Sequence, residues 1–126
     1  MTTIFDAGAL IAIDRGIPPM LRHLANLNAH GERILTHPMV IAQVWRDAGG
    51  RQANLARALS NVKVIPIDGD MGRRAGELCG AAGTDDPIDA VVALMARSGD
   101  RVLTSDPDDI THLLEVRCVH ARVVAV

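Results

Sequence analysis

Short apolar runs alternate with helix-length segments along the whole chain, and no other feature narrows its fold as much. Residues 3–5 read as a strand and run into Asp6, and residues 7–14 read as a helix. Gly16 and the Pro18-Pro19 pair break that helix, and residues 20–29 read as a second one ended by Gly31. Residues 33–36 form an apolar strand, and Pro38 opens a helix expected to reach about residue 48, before Gly49-Gly50. Leu55, Leu59 and Val62 supply the stripe of a further helix, and residues 63–67 are rich in β-branched side chains, hence a strand. Asp70 is placed to cap a helix running to about Ala82. Asp86-Pro87 is a helix start with an aspartate cap and proline in the first turn, and Gly99 closes that helix. Strands at 101–104 and 122–126 bracket a helix from Pro107 to about Val116. Strands separated by helices need crossover connections, so the expected fold is α/β: three layers, α/β/α, around a parallel sheet. One domain over residues 1–126 is expected, long enough for a single core.

In such sheets ligands bind at the carboxyl ends of strands. Asp6 follows the first strand and Asp106 follows the strand at 101–104. Asp6 also fits an N-cap, and Asp106 fits a cap for the helix after it. Asp108 and Asp109 suit that helix's N-terminal dipole. Asp89 is different, because it lies inside a helix among Ile88, Ala90, Val91 and Val92. A carboxylate there needs either a salt-bridge partner or a cation. Several acids at one sheet edge repel one another unless a divalent ion neutralises them. An all-oxygen donor set without Cys or His selects Mg²⁺ or Mn²⁺.

The segments Ile4-Phe5-Asp6-Ala7-Gly8-Ala9-Leu10-Ile11-Ala12, Asp89-Ala90-Val91-Val92-Ala93 and Val102-Leu103-Thr104-Ser105-Asp106-Pro107-Asp108-Asp109-Ile110 resemble, in order, three acidic motifs of PIN-domain ribonucleases. At this size the chain is similar to VapC-type toxins of toxin–antitoxin pairs. The resemblance implies a PIN-like fold and a Mg²⁺- or Mn²⁺-dependent endoribonuclease, a hydrolase of RNA phosphodiesters. It also implies homodimerisation and a small antitoxin that occludes the site. By matching position, Asp6, Asp89 and Asp106 are the catalytic, metal-binding carboxylates and Asp109 an outer or second-metal ligand. Thr104 or Ser105 would hydrogen-bond a carboxylate or a metal-bound water. The second motif departs from the family, with Gln43 where a glutamate is usual. A carboxamide oxygen ligates Mg²⁺ without charge and binds it more weakly, so a catalytically weak scaffold that binds RNA or a protein is the rival reading. Asp86, three residues before Asp89, and Asp47, four after Gln43, are the acids nearest in sequence that would compensate. Asp86 has its capping role as the alternative, and Asp47 a solvent-facing one.

Net charge is −2, so RNA would be held by local arginines rather than by overall charge. Arg15, Arg46, Arg51 and Arg57 are the candidates, with a solvated face as their alternative. Trp45 suits base stacking, or else a core or antitoxin contact. With one Phe, one Trp and no Tyr, aromatic platforms for single strands are scarce and the core must be aliphatic. Five histidines form no ligand pair and read as surface or capping residues. Cys79 and Cys118 read as reduced core thiols, and no zinc pattern exists. The start of the chain lacks a signal-peptide pattern and no long apolar run spans a membrane, so a cytoplasmic protein is expected. The Gly-rich phosphate-loop and dinucleotide motifs are absent. A response-regulator-like domain, the third reading, lacks a suitable lysine, since Lys63 alone is present and begins a strand.

Overall fold

The computed structural model describes residues 1–46 and 49–126. Five strands, β1 (Thr2–Phe5), β2 (Arg33–Thr36), β3 (Lys63–Val64), β4 (Arg101–Thr104) and β5 (Arg122–Ala125), form one sheet in the order β3-β2-β1-β4-β5. Every pairing is parallel, with Thr3 opposite Ile34 on one side and Arg101 on the other. Among the described residues the helices are α1 (Ala7–Asp14), α2 (Pro18–Ala29), α3 (Pro38–Val44), α4 (Ala53–Leu59), α5 (Gly69–Ala82), α6 (Pro87–Met95) and α7 (Pro107–Val116). The chain winds outward from β1 through β2 to β3, returns to β4 beside β1, and winds the other way to β5. Crossovers of one hand that travel in opposite directions put their helices on opposite faces. Accordingly α1 packs with α2, α3 and α4, while α5, α6 and α7 pack with one another. This is the three-layer α/β/α arrangement expected from the alternation.

The core is aliphatic. Ile4, Phe5, Leu10, Val40, Leu55, Val92, Val102 and Leu103 are wholly buried, and the single Phe is among them. Two-sided burial explains why the central strands read as continuous apolar runs rather than alternating ones.

Several boundaries differ from the sequence reading. Proline is tolerated in a first turn, where the N–H has no helical partner, so Pro18 and Pro19 begin α2 instead of breaking the chain before it. Helix α3 stops at Val44, not near residue 48. Trp45 is extended there, and the Gln52 side chain donates to the Val44 carbonyl and accepts from the Arg46 N–H. Asp47 lies outside the described residues. Val62 is buried but follows α4 rather than extending its stripe. Strand β3 is two residues long, and Asp68 rather than Asp70 caps α5 by accepting from Met71 N–H. Helix α6 ends at Met95, with Ala96 extended, well before Gly99. Cys79 is buried, whereas Cys118 is exposed with φ 56°, a residue of the turn after α7 and not of the core. Among the described residues no helix is long and apolar enough to cross a membrane.

Candidate metal centre

β1 and β4 are neighbours from which the chain departs in opposite directions, so their carboxyl ends flank the crevice where such sheets bind ligands. Asp6 ends β1 on one side of it. Its backbone N–H reaches Leu103 in β4, its Oδ1 accepts from Ala7 N–H at 2.8 Å, and its Oδ2 accepts from Thr104 Oγ1 at 2.7 Å. Asp6 therefore caps α1 and is also pinned to β4, so the two readings of this residue coexist. Thr104 Oγ1 in turn accepts from Asp106 N–H at 3.0 Å, which fixes the turn between β4 and α7 to the same carboxylate.

Asp106 occupies the N-cap position of α7, but its side chain makes no capping bond. Asp89 sits in the first turn of α6, buried, with its N–H bonded to Asp86 Oδ1. Asp86 Oδ1 also accepts from Ile88 N–H, so Asp86 caps α6. One carboxylate oxygen from each of Asp6, Asp89 and Asp106 falls within 4.8 Å of the others, the first two buried and the third exposed. The salt-bridge alternative for Asp89 is not met. Among the described residues the ion pair is Arg101–Glu32, and none involves the three aspartates.

Crowded like charges raise the cost of ionising the most buried member. Burial first, then Asp6, Asp86, Asp106 and Asp109, push the Asp89 carboxyl up to about 7 from its ordinary 3.8. Asp109 is exposed and stands outside the three-oxygen group, contributing to the field and lining a recess of about 380 Å³ with Asp85, Asp86 and Asp89. The donor set fits Mg²⁺ or Mn²⁺ in kind: three hard oxygens and, among the described residues, no competing soft ligand and no cationic side chain bonded to them.

The other candidates stand outside the three-oxygen group. Gln43 is exposed in the last turn of α3, and Ser105 is exposed in the β4–α7 turn. Arg46 bends back on α3, its guanidinium donating to the carbonyls of Ala42, Gln43 and Trp45. Arg15 caps the end of α1, Arg57 lies in the last turn of α4, and Arg51 lies in the turn before α4; all three are exposed. Trp45 is half-buried and packs against the core.

Two residues that position the centre were not singled out from the sequence. A Cβ on Gly8 would lie 2.7 Å from Ser105 N and Cβ, so glycine alone lets α1 approach the turn that carries Asp106. A glycine in a first helical turn, where propensity opposes it, is the signal that points to such a contact. His37 is completely buried. Its Nδ1 accepts from Met39 N–H and caps α3, while its Nε2–H donates to the Ile88 carbonyl beside Asp89. Those partners fix the neutral tautomer, and burial lowers its pKa. Its place before Pro38 marks a cap; the reach to α6 leaves no local trace.

The sheet order, the two helical layers and the β1/β4 crevice define a PIN-like α/β fold. The chain is similar to solved structures of that architecture. VapBC2 from Rickettsia felis, solved bound to a DNA fragment from its promoter, superposes with TM-score 0.68 at 15% identity, covering 98% of this chain and 99% of the matched one. PAE2754 from Pyrobaculum aerophilum superposes with TM-score 0.64 at 19% identity, covering 97% of this chain and 83% of the other. No protein-family model and no curated protein sequence matches the chain. At these identities the likeness establishes the fold.

Proposed function

We propose that the protein is a divalent-metal-dependent endoribonuclease and the toxin of a toxin–antitoxin pair. The observation that carries this reading is the convergence of Asp6, Asp89 and Asp106 oxygens within 4.8 Å at the β1/β4 crevice, with no basic side chain bonded to them among the described residues. Bound Mg²⁺ or Mn²⁺ would supply Lewis acidity, making water a better nucleophile and offsetting charge on the scissile phosphate. Asp6, Asp89 and Asp106 would hold the ion, with Asp109 as an outer ligand and Gln43 and Asp86 secondary. Thr104 orients Asp6 by occupying one of its oxygens, leaving the remaining lone pairs for the ion. Ser105, beside Asp106, would support the same turn. Asp106, the exposed member, is the one of the three that an entering phosphodiester would reach first in this reading. Arg15 and Arg51 are the candidate phosphate contacts; Arg46 is the weaker one, since its guanidinium is engaged with α3. Likeness in fold to the Rickettsia felis VapBC2 structure supports a small antitoxin as partner; a homodimer and a cytoplasmic setting belong to the same proposed reading.

Gln43 favours a second reading, a weakly catalytic scaffold that binds RNA or a protein. Incubating the purified protein with structured RNA and Mn²⁺, beside Asp6→Asn and a chelator control, separates the two. Cleavage by the wild type alone, abolished by the chelator, is expected. Equal cleavage by both proteins would mean a contaminant, and none by either would favour the scaffold.

A further inference from the structure

A cavity of about 590 Å³ opens at the far end of the sheet from the aspartates, where β1 and β2 begin and α6 ends. Its rim carries Arg33, Arg74, Arg97 and Arg117, against a single acid, Asp100, in a chain whose net charge is −2. That acid is already engaged, since its Oδ2 accepts from Arg97 N–H. Arg117 donates Nη1 to the Ala93 and Ala96 carbonyls, covering the negative end of the α6 dipole. Arg33, Arg74 and Arg97 are exposed, and among the described residues their side chains make no hydrogen bond or ion pair. Gathering guanidinium groups without carboxylates costs repulsion, and Arg74 indeed depresses the pKa of Arg117, after burial. Ile65 and Met95, both half-buried, line the cavity as well.

Guanidinium forks match phosphate oxygens in pairs, and a cavity of this size holds a small organic ligand. We propose that this cavity binds a mononucleotide-sized phosphate ester, its phosphate held by Arg33, Arg74 and Arg97 and its apolar part laid along Ile65 and Met95. The site is separate from the aspartates and does not depend on the metal-centre reading. Asp89 belongs to the first turn of α6, whereas this cavity lies at that helix's other end.

Titrating isotope-labelled protein with adenosine monophosphate at constant ionic strength, without divalent metal, tests it by amide chemical shifts. Saturable shifts at residues 33, 74 and 95–97 are expected, with those of 86–89 unmoved. Arg33→Ala and Arg74→Ala should each weaken binding about tenfold, the loss of one charged contact. Both side chains are exposed, and spectral dispersion reports whether each variant is folded; Arg74→Gln provides a second test that removes the charge but keeps a polar side chain. Shifts that do not saturate, that persist unchanged in the variants, or that sodium chloride reproduces would mean charge screening and overturn the site. A 5′-phosphorylated oligoribonucleotide run in parallel distinguishes the source of the phosphate. Binding of the oligonucleotide without the monophosphate would also overturn it.

Discussion

Replacing Asp89 by asparagine should stabilise the metal-free protein, and by an amount that grows with pH. The carboxyl titrates at 3.8 in the unfolded chain and at about 7 in the fold, because burial and four neighbouring aspartates oppose its charge. The sign follows from proton binding. A folded-state pKa above the unfolded one means that the fold holds its proton longer, so stability is full below about pH 4, falls as pH rises toward 7, and levels off above it. At about 1.4 kcal/mol per pH unit, the raised carboxyl costs the fold about 4 kcal/mol at pH 8, where it is ionised, and about 1.7 kcal/mol at pH 5, where folding must protonate it. The asparagine amide in the same place keeps a desolvation cost of about 1 kcal/mol. Asp89→Asn should therefore exceed the wild type by about 3 kcal/mol at pH 8 and by under about 1 kcal/mol at pH 5, read by urea denaturation in chelator. Added Mg²⁺ should narrow that gap. The wild type gains about 2.7 kcal/mol at a hundredfold excess over its dissociation constant, and the variant gains less. A variant no more stable than the wild type at pH 8, or a difference that does not change with pH, would refute the electrostatic account of this cluster.

Gly8→Ala should lower stability by about 1–3 kcal/mol in the same assay, because its methyl group meets the Ser105 backbone at 2.7 Å. Thr104→Val keeps the shape but removes the donor to Asp6, so Mg²⁺ affinity by calorimetry should fall about tenfold in a folded protein. His37→Ala loses a helix cap and the tie to Ile88 at once, costing about 2–4 kcal/mol by urea denaturation. His37 also predicts an acid limb. Its pKa is lowered from 6.5 in the fold, so its contribution is present above that value and is lost as pH falls below it; the loss should be absent from the variant. Gln43→Glu should tighten Mn²⁺ binding and raise RNA cleavage about tenfold or more, both read against the wild type.

The sheet and its helices were legible because each strand is an apolar run and each helix start carries its own chemistry: Asp86 before Pro87, Asp106 before Pro107, Pro38 after a strand. Asp6 and Asp106 could be assigned to one crevice because a parallel sheet aligns the carboxyl ends of its strands, and Asp89 could be singled out because its neighbours are apolar. Boundaries set by tertiary partners were not legible. The end of α3 depends on Gln52 reaching back to Val44, and no residue within the helix announces that. Whether Asp106 capped α7 was equally closed to the sequence, since the same residue type serves both ends, and the geometry leaves its carboxylate free of the cap. The link from His37 to Ile88 spans 51 positions and follows from packing alone.

The bond between Thr104 and Asp6 joins residues 98 positions apart. A nascent chain that has not yet released residue 106 cannot carry a finished centre, because Asp6 and Asp106 follow β1 and β4 respectively. Loop closure of that length is slow relative to local helix formation, so the acids come together among the last events of folding. Any destructive chemistry at this crevice would be withheld until β4 and the turn that carries Asp106 have been synthesised.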